Sequence, residues 1–185
     1  MKIWMLDADV DIFDWLDTVK DFDVDERQTF DGRSKINNWE PLAVKVMEPD
    51  EGEILNQDLG NTPGFHSHIP VFDKKALDCL KDLMEDFVEI LPLLSVDGEF
   101  YAINVTTVLN CIDYDRAEYE MFSDGNRIMC FDKYVFKEDI VKGKHIFKIV
   151  DERLGNPFVS DEFRKKVLKS GLRGFKFELV WDSDN

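Results

Sequence analysis

Basic residues are scarce in this sequence. Its 185 residues hold 23 lysines and arginines against 39 aspartates and glutamates, a formal charge of −16. A chain this acidic cannot hold a phosphate backbone through counter-ion release, which excludes nucleic acid as a partner. Anionic membrane surfaces are disfavoured for the same reason. Long apolar runs are missing too, and nothing approaches the ~18 residues that a membrane-spanning helix needs. The opening MKIWMLDADVD turns acidic after a few apolar residues and lacks a signal-peptide profile. Only three cysteines occur, Cys79, Cys111 and Cys130, widely spaced and with no CxxC pair. That pattern predicts reduced, buried thiols in a cytoplasmic protein and no zinc site. No Gly-rich phosphate loop, GxSxG or HExxH is present, and the cysteines have no evident His or Asn companions. Neither a catalytic residue nor a cofactor is therefore predicted.

What the sequence does have is a core and an uneven charge. Hydrophobic residues make up 44%, with 15 Phe and 4 Trp, enough to fold as one domain. Residues 1–60 carry 16 acidic and 6 basic residues, whereas residues 126–185 carry 10 and 13. The acidic portion suits a partner with a basic surface, which it would meet at a high on-rate.

The clearest structural sentence is Phe158 to Trp181. Ser160 is a helix N-cap, and Asp161 and Glu162 favour the positive end of the helix dipole. Phe163, Val167 and Leu168 follow at helical spacing, and Gly171 reads as the left-handed C-cap. After Gly174 the period changes to 2, so that Phe175, Phe177, Leu179 and Trp181 should share one face. A second helix is predicted from an Asp73 cap, carrying Ala76, Leu77, Leu80, Leu83, Met84, Phe87 and Val88 on one stripe. The two main amphipathic helices are placed at about 73–90 and 161–170. Strands are expected at Lys2–Leu6, Leu42–Met47, Arg127–Phe136 and Lys144–Val150, with a hairpin of 91–96 and 99–108 about Asp97-Gly98. Residues 48–68, with no sustained period, read as a long loop or linker. Strands outnumber helices and come in runs, so the fold class is α+β with a largely antiparallel sheet. The organisation expected is an acidic N-terminal region over 1–68 and an α+β core over 69–185, together one unit.

The Asp7-Ala8-Asp9-Val10-Asp11 run invites two chemical readings. As a calcium loop it would put Ile12 at the position needing Gly and Thr18 at the position needing a bidentate Glu, so the match fails. As an apolar strand ending in Asp-x-Asp it resembles haloacid-dehalogenase-like phosphotransferases. That resemblance implies Asp7 as nucleophile, Asp9 as acid/base and magnesium between them. Asp11 departs from the Thr or Val of that motif, and the strand runs do not match the parallel sheet that the family builds. His66-x-His68 could place two imidazoles on a metal but lacks a third ligand nearby, and no metal site is predicted.

The order of segments adds a further resemblance. Phe30-Asp31-Gly32-Arg33 precedes Trp39-Glu40-Pro41, then Ile69-Pro70-Val71-Phe72 opens a Leu-rich helix, and Glu89-Ile90-Leu91-Pro92-Leu93 follows. Next come Phe100-Tyr101-Ala102-Ile103-Asn104-Val105, Asp113, Phe136 and Ile146-Phe147-Lys148. The chain closes on Phe158-Val159-Ser160-Asp161-Glu162-Phe163 and Gly171-Leu172-Arg173-Gly174-Phe175. This collinear set, over roughly residues 28–181, resembles the immunity-protein family eleven of bacterial polymorphic toxin systems. The resemblance implies a cytoplasmic, non-enzymatic antidote that binds a cognate secreted toxin, from a contact-dependent or type VI secretion locus, as a heterodimer and blocks its active site. It supplies no contact positions to carry over and says nothing of self-association. The acidic stretch ahead of Phe30 lies outside it, and Asp7, Asp9, Asp11, Asp14, Asp17, Asp21, Asp23 and Asp25 are the candidate toxin contacts. The alternatives are magnesium-dependent phosphotransfer at Asp7/Asp9 and an interaction module whose partner is not a toxin.

Overall fold

The computed structural model describes residues 1–20, 24–47 and 58–184. In chain order the elements are β1 (Lys2–Ala8), β2 (Leu16–Thr18), α1 (Val24–Arg27), a 3-10 turn (Ile36–Asn38), β3 (Val44–Val46), β4 (Val71–Asp73), α2 (Lys74–Met84), β5 (Val88–Pro92), β6 (Phe100–Val105), β7 (Val108–Leu109), β8 (Glu118–Met121), β9 (Ile128–Lys133), α3 (Glu138–Val141), β10 (Ile146–Ile149), β11 (Phe158–Ser160), α4 (Asp161–Lys169) and β12 (Phe175–Asp182). The class is α+β with mostly antiparallel sheets, as the runs of strands predict.

The closing helix forms where its caps put it. Ser160 accepts the Phe163 N–H at 3.2 Å and so satisfies one of the first-turn donors. Gly171, at φ +63°, ends α4, and the Leu172 N–H returns to the Val167 carbonyl at 3.3 Å. Phe163 and Val167 are fully buried. The other helix is shorter than its apolar stripe. Asp73 caps α2 by accepting from Ala76 as expected, but the helix stops at Met84 instead of continuing towards 90. Val88 and Ile90 fit helical spacing and strand alternation equally well. Pairing decides, because they lie opposite Val105 and Ile103 of β6. The hairpin is real but shifted: its strands are β5 and β6, and residues 93–99 connect them. Asp97 serves there as an acceptor for the Val46 N–H at 3.0 Å, tying the connection to β3.

The main sheet runs β12-β1-β11-β10-β7, with only the β10–β7 pair parallel. β1 thus sits between two antiparallel neighbours from the far end of the sequence, with Ile3 opposite both Ser160 and Trp181. One face carries Leu6, Ile146 and Val159 against Phe163 and Val167 of α4, Leu77 and Leu80 of α2, and Ile103 of β6. The other carries Ile3, Phe147, Ile149 and Phe158 against Ile112, Phe136 and Val141. A smaller sheet, β4-β6-β5, packs Phe72 and Ile103 into the first of these cores. It packs Val71, Leu91 and Ala102 into a third, with Leu16, Phe30, Val44 and Phe65.

One expectation about β12 is corrected. Phe175, Phe177, Leu179 and Trp181 do not share a face. The register against β1 shifts between Trp4↔Leu179 and Ile3↔Trp181, leaving Val180 as an extra residue. Trp181 is thereby turned towards Phe136, 5.7 Å away, while Phe175 and Phe177 stay on the helix-covered face. Leu179 is left 43% exposed. The 48–68 stretch also differs from a solvated linker. Residues 48–57 lie outside the described residues, but Asn61, Thr62, Pro63, Gly64 and Phe65 are buried. Asn61 holds that passage by accepting from Arg173 N and donating to Asp73.

Candidate functional site

The acidic segment is built by the way β1 ends. Past Ala8 the Asp9 N–H still donates to Gly174 O at 2.7 Å, and the Phe13 N–H folds back to the Asp9 carbonyl at 3.0 Å. Asp14 and Leu16 then donate to Asp58 O and Gly64 O, which steers Leu16 into the third core. Gly64 is required here: a Cβ on it would stand 2.7 Å from the Trp15 ring. The apolar residues between the aspartates are only partly consumed. Val10, Ile12 and Trp15 stay exposed beside the carboxylates.

The predicted aspartates divide into three groups. Asp7, Asp9 and Asp11 gather about Lys176 of β12, whose ammonium pairs with Asp11 at 3.0 Å. Asp11 first, then Asp9 and Asp7, hold that ammonium's pKa above the usual lysine value. Asp17, on β2 opposite Lys45, and Asp25, on α1, are exposed and belong to other elements. Asp14 is buried at 4% exposure and offers no side-chain surface. Asp21 and Asp23 lie outside the described residues. β1 also lacks the parallel-sheet setting that the phosphotransferase resemblance implies, since both of its neighbours are antiparallel. Asp7 itself accepts from the Ala8 N–H at 2.8 Å.

Beside this surface lies a cavity of about 110 Å³, lined among others by Asp7, Trp15, Phe65 and His66. It is too small for a typical ligand pocket of ~300–1,000 Å³. His68 sets Nε2 3.1 Å from the Arg27 carbonyl, so the ring carries its proton there. Among the described residues no group of three His, Cys, Asp or Glu is placed to hold a metal. Of the three cysteines only Cys111 is buried, against the expectation for all three; Cys79 and Cys130 are partly exposed. Burial pushes the Cys111 thiol up to about 12, the opposite of what a nucleophile needs.

The two histidines make a pH prediction. Burial first, then Arg27 and His68, pushes His66 down to about 4, and burial also lowers His68. An unfolded histidine takes its proton near 6.5, so between there and 4 the unfolded chain binds more protons than the folded one. Stability is therefore complete above pH 6.5 and falls as pH drops. The expected loss is about 1–2 kcal/mol after allowing for solvent screening of the half-open rings. Urea unfolding at pH 7 and pH 5 measures it, a window above most carboxylate titration. The slope should flatten in His66→Gln, and an unchanged slope would refute the assignment.

Two anchors were not legible as such. Lys148 on β10 is 1% exposed, and its ammonium donates to three backbone carbonyls, Phe30 at 2.8 Å, His68 at 2.9 Å and Arg153 at 2.9 Å. Glu89 accepts from Ser34 Oγ, the Lys35 and Ile36 N–H groups and Asn104 Nδ2. Burial works against its charge, but those donors outweigh it and hold the carboxyl below the ordinary glutamate value. Between the anchors Gly32, at φ +102°, passes so close to Val108 that a Cβ would lie 2.3 Å from its methyl. The Phe30-Asp31-Gly32-Arg33 segment is thus scaffold.

A second surface lies on β8 and β9, which pair only with each other among the described residues. Every residue of β8 is exposed. The pair borders an open groove of about 550 Å³ walled by Tyr114, Tyr119, Met121, Phe122, Arg127 and Ile128. Tyr114 closes one end by donating to Asp151 at 2.8 Å, and the Arg127 guanidinium lies 4.9 Å over the Phe122 ring.

Residues 94–182 match the family model of the Immunity protein family (Imm11). The match takes in β6 to β12 and the β8–β9 pair, and begins after the Phe30, Trp39 and Ile69 segments. No curated protein matches the sequence. The matched family is described as one of immunity proteins. Among the described residues no helix is long and apolar enough to cross a membrane.

Proposed function

Taking the Imm11 match over residues 94–182 as premise, we propose that this protein is the antidote to a cognate secreted bacterial toxin. It binds the toxin as a heterodimer in the cytoplasm and blocks its active site, with no chemistry and no cofactor of its own. The match is the observation that carries this reading. The −16 charge supports it by suiting a toxin with a basic cleft. The direct experiment is co-expression with the toxin encoded beside this gene. Cells should grow, and the two proteins should purify together. Death of the cells and no complex would end the proposal.

The acidic segment is the steering surface in this reading. Asp7, Asp9, Asp11, Asp17 and Asp25 present carboxylates from β1, its following turn, β2 and α1. Asp21 and Asp23 complete the run in sequence, whereas buried Asp14 serves the fold. Exchanging Asp7, Asp11, Asp17 and Asp25 together for Asn should slow association about tenfold at low salt and flatten its salt dependence, with dissociation little changed. Stopped-flow binding at two ionic strengths reads both. An unaltered on-rate would remove these residues from the interface.

A further inference from the structure

We infer that the groove beside β8 and β9 is the anchoring site for the toxin, and that it takes a Lys- or Arg-bearing segment of the toxin's basic face. The inference rests on the proposed antidote role and adds the surface that sets how long the complex lasts.

Four observations converge. First, the side chains are the kind that anchor interfaces. Tyr114, Tyr119, Met121 and Phe122 stand 36–42% exposed in one neighbourhood. Aromatic and Met side chains are enriched at interface centres, and the aromatic ones lose little conformational entropy there. Second, the walls are set before any partner arrives. Tyr119 packs edge-on to Tyr114 at 6.1 Å and against Phe131 at 5.8 Å. Phe131 in turn stacks on Tyr134 at 4.9 Å. Tyr134 donates to Glu152 at 2.9 Å and meets Phe158 of the main core at 5.3 Å. An aromatic ladder therefore ties the exposed groove to the buried sheet, so binding does not have to order it.

Third, charge selects the occupant. Residues 113–133 carry six acids, Asp113, Asp115, Glu118, Glu120, Asp124 and Asp132, against three bases, Arg116, Arg127 and Lys133. A second copy of this chain would bring the same excess of acids against residues 113–133, and a nucleic acid or an anionic membrane would be repelled in the same way. A cation fits on both counts. Asp151 stands at one end of the groove and Tyr119 lines it, so an incoming guanidinium or ammonium would find a carboxylate and an aromatic ring together. Arg127 already lies over the Phe122 ring, which leaves Tyr119 and Asp151 for the incoming cation. Fourth, the pair lies inside the matched span, whereas the acidic N-terminal segment lies before it.

The two surfaces then divide the work: the scattered aspartates accelerate encounter, and the groove slows escape. Tyr119→Ala with Phe122→Ala should raise the dissociation rate from the adjacent toxin about thirtyfold while leaving the association rate within about twofold. Circular dichroism and a melting curve matching the unaltered protein exclude misfolding. Met121→Lys is a second variant that leaves the aromatic ladder intact, and it should weaken binding by placing a like charge beside the incoming Lys or Arg. If the unaltered chain binds and protects but both variants dissociate at its rate, the groove is not the anchor and the antidote role survives. If the unaltered chain does not bind, both proposals fall together. Light scattering on the free protein gives the remaining outcome: a dimer that the variants break would assign the groove to a second copy and overturn the inference.

Discussion

Replacing Lys148 by Met should destabilise the protein by about 3 kcal/mol in urea unfolding at pH 7. The ammonium donates to the carbonyls of Phe30, His68 and Arg153, which come from three separated stretches of chain. Met fills similar space but donates nothing. Each stranded carbonyl costs about 1–3 kcal/mol, partly offset because a charged amine no longer has to be buried. That offset can be measured. Burial pushes Lys148 down to about 8 from an ordinary 10.5. Between those values the unfolded chain holds a proton that the folded one has released, so this group makes stability rise with pH. The Met variant lacks that rise. The gap between the two proteins should therefore widen from pH 7 to pH 9.5, and the alkaline titration of Cys111 and the tyrosines cancels because both proteins share it. A Met variant within 1 kcal/mol of the parent would show that the three carbonyls find other donors.

Phe158→Ala should cost more, about 4 kcal/mol, or roughly 8–16 °C in melting temperature for a chain of this size. Phe158 is 1% exposed on the strand between β1 and β10. Its ring centroid lies 5.3 Å from Tyr134, 5.4 Å from Phe136 and 5.8 Å from Phe147. No neighbour can collapse into the space without giving up an aromatic contact of its own. Leu179→Ala is the matching control, since the bulge at Val180 leaves Leu179 in solvent, and it should change stability by less than about 0.5 kcal/mol. Equal effects at the two positions would mean that β12 keeps one unbroken apolar face, against the register seen here.

Those positions also show where sequence reasoning reaches. Ser160, Asp73 and Gly171 were legible because a cap acts on backbone groups two or three residues away. β12 was legible as a strand but not in its second half. The shift at Val180 depends on what lies opposite, and Trp4 and Ile3 come from the other end of the sequence. The end of α2 failed for a related reason: Val88 and Ile90 satisfy two periods, and only β6 chooses between them. Residues 58–65 look like a linker by composition, yet Asn61 alone makes contacts with both the α2 cap and the turn before β12. Lys148 carried no signal at all, because its acceptors are backbone carbonyls and any sequence would supply them.

At the surface the alternating aspartates announce an acidic segment, but only the fold separates Asp14, turned inwards, from Asp7, Asp9 and Asp11 about Lys176. The β8–β9 groove is hard to see in the sequence because acids and other polar residues dominate residues 113–126. Tyr119 and Met121 alternate with glutamates over only four residues, too short a run to stand out, and the fold brings Tyr114 and Phe122 beside them.

The place of β1 between β11 and β12 has a consequence in time. Its partners, Phe158–Ser160 and Phe175–Asp182, emerge from the ribosome long after residues 2–8 do. Such a distant pairing carries a large loop-closure cost and predicts slow completion of the main sheet. Until then KIWML is an unpaired apolar strand of the kind that draws other chains into aggregates. The aspartates that follow it at once, from Asp7 to Asp17, keep such a strand apart from its copies by repulsion. The nascent chain is thus protected by the same charges that we propose for the meeting with the toxin.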